Sequence, residues 1–372
     1  MLDESTLFKK VFGCIVGGAI GDALGAPVEN CHYKQIQETY GVLQDFVPPF
    51  RGKRMGIKHF SDEKELDWLP DMRGFFPFGI DGYQVGNGRY TDDMNGRLLN
   101  YLAIIKYGRR INLLELDEFV RQFAIDSLRH PDKNRQEWAR RVLTTSISKR
   151  VRFNRPVFSI YWGSPGGVLN AGNPAAGAED GCVLGAAVAE AFKPEATVDS
   201  VIQAALDHAN SLAYVWDVAV PEPYVWGVSM NTWKLAEEFY RRVLWVLDVA
   251  ENVKDVFEIR KYLYGEDPVN TFLVTYPPWD LVYPLEMLPT ALGIIKIAKG
   301  DPWTALVGGA NFGRDCDSIA CIAGEIAGAL RGVDALPKRM VKTVQEVNPD
   351  PDMREIAEKI TRIILLNREN LA

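Results

Sequence analysis

A segment near the N-terminus combines aliphatic residues at helical spacing with an unusual number of small residues. Between Leu7 and Leu24, six positions are Gly or Ala, and large apolar residues recur three or four positions apart. Because glycine lowers helix propensity, this pattern predicts a helix that lets its neighbours approach its backbone closely. Pro27 is expected to end it. A second stretch, Ile319 to Leu330, has the same mixture and predicts another closely packed helix.

Most of the remaining chain also shows helical periodicity, and strand signals are weak throughout. We therefore expect an all-α fold, with residues 1–372 forming a single compact multi-helix domain. Asp301-Pro302 predicts an N-cap followed by proline in the first turn of a helix. The other predicted helices span 92–107, 114–129, 134–150, 179–192, 197–219, 232–249, 251–263, 286–299 and 353–367.

Residues 45–90 interrupt this pattern. They are dense in Pro, Gly, aromatic and basic residues and show no sustained period. A long irregular segment in a compact chain is often functional, so we interpret it as a lid or insertion within the domain. A surface loop without a functional role would explain the composition equally well.

Composition excludes several classes of function. The 372 residues carry a net charge of -7 and no long basic run, so nucleic acid is not an expected partner. The four histidines lack metal-ligand spacing, and the five cysteines form no CxxC pair, which argues against zinc and disulfide frameworks. No apolar run reaches bilayer length and no secretory signal begins the chain, so we expect a cytoplasmic protein without a membrane partner.

Two short motifs place acidic and hydroxyl side chains where helices are predicted to begin. One supplies Thr91, Asp92 and Asp93, and the other supplies Asp315, Asp317 and Ser318. Asp, Ser and Thr favour helix starts without any metal, so each motif alone is ambiguous. Together, however, they form a hard oxygen ligand set of the kind that suits Mg²⁺ or Mn²⁺.

Two further segments carry polar groups with a possible role. Asp22 ends an otherwise apolar helix, which indicates a fixed polar partner, whereas Glu29 follows Pro27 on a predicted loop. The glycine- and asparagine-rich segment 163–174 leads toward a helix, and its backbone N–H groups could hold phosphate or ribose oxygens. A plain turn-rich connection is the alternative. The candidate ligand-binding residues there are Ser164, Gly166, Gly167, Asn170, Gly172 and Asn173.

Taken together, these segments resemble the ADP-ribosylglycohydrolase family, the relatives of dinitrogenase reductase-activating glycohydrolase. The resemblance rests on GCIVGGAIGDALGAPVE, YTDDMN, SPGG with NAGNP, and GRDCDSIACIAGEIAGAL, and it spans about residues 10 to 330. It implies an all-α fold with a dinuclear centre of two Mg²⁺ ions, for which Mn²⁺ can substitute. The activity it implies is cleavage of the bond between ADP-ribose and its acceptor.

Carried over position by position, the resemblance assigns the metal ligands to Thr91, Asp92, Asp93, Asp315, Asp317 and Ser318. It matches Glu29 to a glutamate that assists the site in some members. Glu29, Asp92 and Asp317 all remain candidates for the catalytic base. The expected partner is ADP-ribose or a related ribosyl substrate, and the acceptor and the number of subunits stay open.

Three alternatives remain at this stage. A hydrolase of a simpler ribosyl compound or nucleoside would use the same fold. A non-catalytic ADP-ribose-binding or structural protein would keep the scaffold without turnover. An isoprenoid-synthase-like enzyme would also be helical and magnesium-dependent, but its aspartate-rich motif would need a later aspartate where Gly96 stands.

Overall fold

The computed structural model describes residues 3–29, 31–51, 86–109, 113–136, 178–213, 224–225, 228–229, 232–264 and 282–369. These residues are mostly helical, which confirms the all-α class. Their one β ladder is a small antiparallel pair, β1 (Tyr224–Val225) and β2 (Val228–Ser229). The predicted ligand-binding loop 163–174 lies outside the described residues, as do positions 52–85 of the expected lid or insertion and the end of the predicted helix 134–150.

The helices follow the chain in this order: α1 Glu4–Gly25, α2 Tyr33–Tyr40, α3 Asp92–Tyr107, α4 Leu113–Leu128, α5 Ala178–Ala191, α6 Val198–Ala213, α7 Thr232–Asn252, α8 Ile259–Tyr264, α9 Val282–Ile297, α10 Pro302–Ala310, α11 Cys316–Arg331, α12 Lys338–Val347 and α13 Met353–Glu369. Short 3-10 turns follow α1 at Ala26–Val28 and α11 at Val333–Ala335.

Helices α1 and α11 form the centre of the protein and make its largest helix–helix contact. Gly17 faces Gly324 so closely that a side chain on either residue would clash with the backbone of the other. Gly13 meets Gly328 in the same way, which shows that the two helices run antiparallel. The small residues therefore do what the sequence predicts, since they remove the side chains that would hold the helices apart.

The antiparallel arrangement decides where polar groups meet. It brings the C-terminal end of α1 beside the N-terminal end of α11, and α3 begins next to both. One apolar cluster covers the α1 side and joins α3, α12 and α13 to it. A second cluster fills the opposite side, where α5, α6, α7 and α9 pack on α11.

The segment Glu4–Val28 is long and apolar enough to pass a length and composition test for a membrane span. This differs from the expectation that no run reaches that length. Its apolar window is entirely buried among the other helices, however, as in the core helix of a globular domain.

Several helix boundaries agree with the sequence prediction, and some do not. Asp301 caps α10 as expected, because its carboxylate accepts a hydrogen bond from Thr304 N at 2.8 Å. The predicted helix 251–263 is wrong in its first half. There, Glu258 and Asp255 accept hydrogen bonds from the backbone N–H groups of Lys254 and Phe257, which closes turns before α8.

Candidate metal centre

Three chain segments meet where α1 ends and α11 begins. Gly25 lies against the backbone of Asp317, and any larger residue at position 25 would clash with it. Next to this contact, Arg314 N donates a hydrogen bond to Cys31 O at 2.8 Å, and His32 pairs with Gly313 in an isolated β-bridge. The loop after α1 and the turn before α11 are therefore joined through their main chains.

Three carboxylates converge at this junction. One oxygen each from Glu29, Asp315 and Asp317 lies within 4.8 Å of the other two. Asp315 and Asp317 are buried, whereas Glu29 is partly exposed. The cluster is therefore enclosed on the protein side and open to solvent beside Glu29.

The start of α3 is fixed by Asp22 and not by its own N-cap residue. Thr91 occupies the N-cap position but makes no side-chain capping bond. Instead, the fully buried Asp22 accepts hydrogen bonds from Thr91 N at 2.8 Å, Thr91 Oγ1 at 2.8 Å and Met94 N at 2.9 Å. This is the fixed polar partner that the sequence indicates for Asp22, and it ties α3 to α1.

Asp93 connects the two acidic helix starts. Ser318 Oγ donates a hydrogen bond to Asp93 Oδ2 at 2.8 Å. On its other side, Asp93 faces Arg97, whose Nη1 lies 3.5 Å from Asp93 Oδ1 and donates to Asp93 O at 3.1 Å. Arg97 in turn pairs with Glu325 of α11, with 2.9 Å between Nε and Oε2. All four side chains are buried.

Burial and mutual repulsion shape the electrostatics of the cluster. Burial raises the pKa of Asp317 well above its ordinary value, and the neighbouring Glu29 and Asp315 raise it further. The pKa of Asp315 is raised in the same way, first by burial and then by Asp93 and Glu29. Burial also raises the pKa of the Cys316 thiol, which argues against a nucleophilic role for it.

The residues present fit a hard divalent cation. Asp317 Oδ1 is buried and has no hydrogen-bond partner among the described residues. An ionised carboxylate oxygen in this state is costly unless a cation or a proton compensates it. The surrounding donors are carboxylate and hydroxyl oxygens, which are the ligands that Mg²⁺ and Mn²⁺ prefer. A cation would relieve the repulsion that raises these pKa values.

Arg314 immediately precedes Asp315 and has an uncommon backbone conformation. Its φ is 56°, in the left-handed region that bulky residues avoid. Its guanidinium makes a two-pronged ion pair with the buried Glu286 of α9, with Nε–Oε1 at 2.9 Å and Nη2–Oε2 at 3.0 Å. This pair fixes the turn that presents Asp315 and Asp317.

The family model described as ADP-ribosylglycohydrolase matches residues 3–370. This chain belongs to the ADP-ribosylglycohydrolase family. The match covers nearly the whole chain and agrees with the helical architecture. A glycohydrolase family hydrolyses glycosidic bonds, so membership supports hydrolase activity of that kind.

Two relatives resemble this family member over short stretches. An uncharacterized protein of Archaeoglobus fulgidus is 48% identical over 57 residues, which is 15% of this chain and 18% of that protein. The uncharacterized protein YegU of Escherichia coli is 36% identical over 64 residues, or 17% of this chain and 19% of YegU. The matches therefore span less than a fifth of each relative.

The structure brings together those predicted site residues of this glycohydrolase family member whose side chains it describes. Asp93 meets Ser318, and Glu29 meets Asp315 and Asp317. The side chain of Asp92 lies outside the described part of the chain, as do the ligand-binding residues Ser164, Gly166, Gly167, Asn170, Gly172 and Asn173. Their roles stay predictions.

Sequence reasoning missed two buried residues beside this centre, Arg97 and Glu325. Glu325 is the one charged residue between Ser318 and Leu330. A lone charge in an otherwise apolar helix is a local signal that could have identified it as a candidate. Nothing local indicates that its partner is Arg97, on a helix more than two hundred positions earlier.

Proposed function

We propose that this protein is a hydrolase that depends on two Mg²⁺ ions, or on Mn²⁺, and releases ADP-ribose from an ADP-ribosylated protein or small molecule. Family membership supports hydrolysis of a glycosidic bond. The observation that carries the cation dependence is the approach of Glu29, Asp315 and Asp317 to within 4.8 Å. Three carboxylates this close repel one another unless positive charge compensates them.

Both acidic helix starts supply cation ligands in this proposal. The cation ligands are Thr91, Asp92, Asp93, Asp315, Asp317 and Ser318. When bound, Mg²⁺ or Mn²⁺ lowers the pKa of coordinated water and polarises substrate hydroxyl oxygens. The hydroxyl of Thr91 donates its proton to Asp22, so the lone pairs of Thr91 Oγ1 are left to coordinate a cation. Ser318 donates to Asp93 and has the same acceptor capacity left.

We assign the general-base role to Glu29 among the three carboxylates that the sequence offered. A base must reach the attacking water and return its proton to solvent. Glu29 is partly exposed at the rim of the cluster, whereas Asp317 is buried beneath it. The short loop after α1 holds Glu29 there, since Glu29 N donates to Ala26 O and Cys31 N donates to Val28 O.

The reaction class fits this arrangement of charge. Cleavage of a ribosyl bond develops positive charge at the anomeric carbon, as in other glycoside hydrolysis. A cluster of carboxylates next to that carbon stabilises the charge as it develops. The base takes a proton from water, and the resulting hydroxide equivalent adds to the anomeric carbon as the bond to the acceptor breaks. The acceptor leaves with the electron pair of that bond and takes up a proton, from the protonated base or from solvent.

The test is a hydrolysis screen with purified protein. ADP-ribosyl-arginine, ADP-ribosyl-serine peptide and a set of nucleosides are incubated with Mg²⁺, with Mn²⁺ and with chelator, and free ADP-ribose or ribose is measured by chromatography. We expect ADP-ribose release that the chelator abolishes. Asp317→Asn should lose the activity. Lys10→Met, on α1 where its side chain reaches the far end of α11, should retain it.

Other outcomes separate the alternatives. Turnover of nucleosides alone would assign the protein to simpler ribosyl substrates. ADP-ribose binding by calorimetry without any turnover would identify a non-catalytic binding protein. Release of ADP-ribose at an equal rate in chelator would contradict the cation dependence.

A further inference from the structure

The ion pair between Arg97 and Glu325 is fully buried and links the two helices that carry the acidic motifs. Arg97 lies one helical turn after Asp93 on α3, and Glu325 lies about two turns after Ser318 on α11. Both side chains have 0% exposure, and their Nε–Oε2 distance is 2.9 Å. The pair therefore lies directly behind the candidate metal centre, on its protein side.

Stability alone is a poor explanation for such a pair. Removing two charges from water is costly, and well-packed apolar residues of similar volume often stabilise a fold as well or better. The side chain of Glu325 also needs space, which the fold provides by placing a glycine opposite it. Gly18 of α1 faces Glu325, and a Cβ at position 18 would come within 2.7 Å of Glu325 Cγ.

The contacts of Arg97 point to Asp93. Nη1 donates to Asp93 O at 3.1 Å and lies 3.5 Å from Asp93 Oδ1. Because Ser318 Oγ holds Oδ2 at 2.8 Å, the Asp93 carboxylate is fixed from both sides. Its plane cannot rotate without breaking one of these contacts.

The charge balance explains the presence of Glu325. A lone guanidinium this close to the centre would orient Asp93 but would also repel a bound cation. Glu325 neutralises Arg97, so the pair can orient the ligand without adding net positive charge. Arg97 carries its charge because a guanidinium does not lose its proton in proteins.

We propose that Arg97 and Glu325 are a neutral positioning pair that orients the Asp93 carboxylate and thereby sets the affinity of the centre for divalent cations. The inference rests on the proposed function, because it takes Asp93 as a cation ligand. Residues that orient a metal ligand typically change metal affinity by about 10–100-fold when they are replaced.

The central test is the double variant Arg97→Met/Glu325→Leu, measured by calorimetry with Mn²⁺ alone. This change removes no net charge and leaves neither member of the pair buried without the other, while Asp93 keeps its hydrogen bond from Ser318, so the fold should persist. We expect helical content equal to that of the wild type and Mn²⁺ affinity weaker by about 10–100-fold. The Mn²⁺ EPR spectrum of the bound state should also change, which a merely structural role would not require.

Three single variants separate orientation from charge and from packing. Glu325→Gln leaves the Arg97 charge uncompensated, so Mn²⁺ binding should weaken, and the loss should change little with salt because the charge is buried. Gly18→Ala displaces Glu325 without changing any charge and should weaken Mn²⁺ binding as well. Arg97→Lys keeps the positive charge and should bind more tightly than the double variant.

Lys10→Met is the matched control. Lys10 is another buried cation, but Nζ donates to Ala191 O at 2.7 Å and Leu330 O at 3.0 Å. Leu330 lies roughly 20 Å along α11 from Asp317. This variant should lose stability and keep the Mn²⁺ affinity of the wild type.

The outcomes distinguish the two levels of the proposal. Mn²⁺ binding by the double variant within about threefold of the wild type would overturn the positioning role and leave the proposed function standing. Absence of Mn²⁺ binding by the wild type would overturn the cation-dependent function and the positioning role with it.

Discussion

The carboxylate of Asp22 caps a helix to which it does not belong. It accepts hydrogen bonds from Thr91 N and Met94 N, the backbone donors at the start of α3, although it lies near the end of α1. Burial and nearby Asp93 raise the pKa of Asp22, whereas these hydrogen bonds oppose that shift. A single buried side chain thus sets the position of the first acidic motif relative to the second.

Replacement of Asp22 by alanine should destabilise the protein by about 3 kcal/mol, because it leaves two buried backbone donors at the start of α3 without partners. Chemical denaturation monitored by circular dichroism measures this loss. The control is Asp301→Ala, which removes the solvent-exposed cap of α10 and should cost much less. Equal losses for the two variants would contradict a special role for the buried cap.

Replacement of Gly17 by alanine should destabilise the fold by about 3 kcal/mol. The added methyl group would collide with the backbone of Gly324, which cannot move away as a side chain could. The higher helix propensity of alanine offsets only about 1 kcal/mol of this cost. Thermal and chemical denaturation would both report the change.

Gly41→Ala is the control for this substitution. Gly41 has a φ of 68° and open space around it, so alanine there meets backbone strain but no collision. That strain should cost about 1–2 kcal/mol. If Gly17→Ala is tolerated as well as Gly41→Ala, the close approach of α1 and α11 is not what stabilises the core.

The sequence predicts the features that depend on local pattern. Small residues at helical spacing indicate the α1–α11 packing, and Gly17 and Gly324 meet as that pattern implies. Asp, Ser and Thr at helix starts indicate where the oxygen ligands lie. The position of Asp22 at the end of an apolar helix signals a fixed partner, although the partner itself cannot be read from it.

Features that depend on tertiary pairing were not predictable in this way. The partner of Glu325 lies on another helix, and neither local sequence specifies the other. The helices α2 and α12 were missed because they are short and rich in charged and polar residues. The turn between α7 and α8 was missed because side chains such as Asp255 cap backbone groups locally, which overrides helical periodicity.

Divalent cations should stabilise the wild-type protein against heat. A ligand that binds only the folded state at 100 times its dissociation constant adds about 2.7 kcal/mol to the free energy of unfolding. Differential scanning calorimetry with Mg²⁺, with Mn²⁺ and with chelator measures the shift in Tm. Asp317→Asn should abolish the shift, because it removes a carboxylate at the centre of the cluster.

The same variant has an opposite expected effect without cations. Asp317 is buried among other acids, so its neutral replacement removes repulsion and Asp317→Asn in chelator should be at least as stable as the wild type. An equal rise in Tm with Mg²⁺ for the wild type and the variant would exclude Asp317 as a ligand.

In chelator, the wild-type protein should become less stable as the pH rises from mildly acidic to neutral. Burial, followed by Glu29 and Asp315, raises the folded-state pKa of Asp317 well above the ordinary value of 3.8. The folded protein therefore binds more protons than the unfolded chain between the ordinary and the raised pKa. The stability that this proton supplies is fully present below the ordinary pKa and is lost as the pH rises through the raised one.

Thermal denaturation in chelator at a series of pH values above the ordinary 3.8 should show this loss, after correction for buffer effects. Saturating Mg²⁺ should reverse the trend, because the cation competes with protons for the same oxygens and binds more tightly as they ionise. Asp317→Asn should flatten the dependence in chelator. A wild-type Tm that rises with pH in chelator would mean that these carboxylates are compensated by other groups.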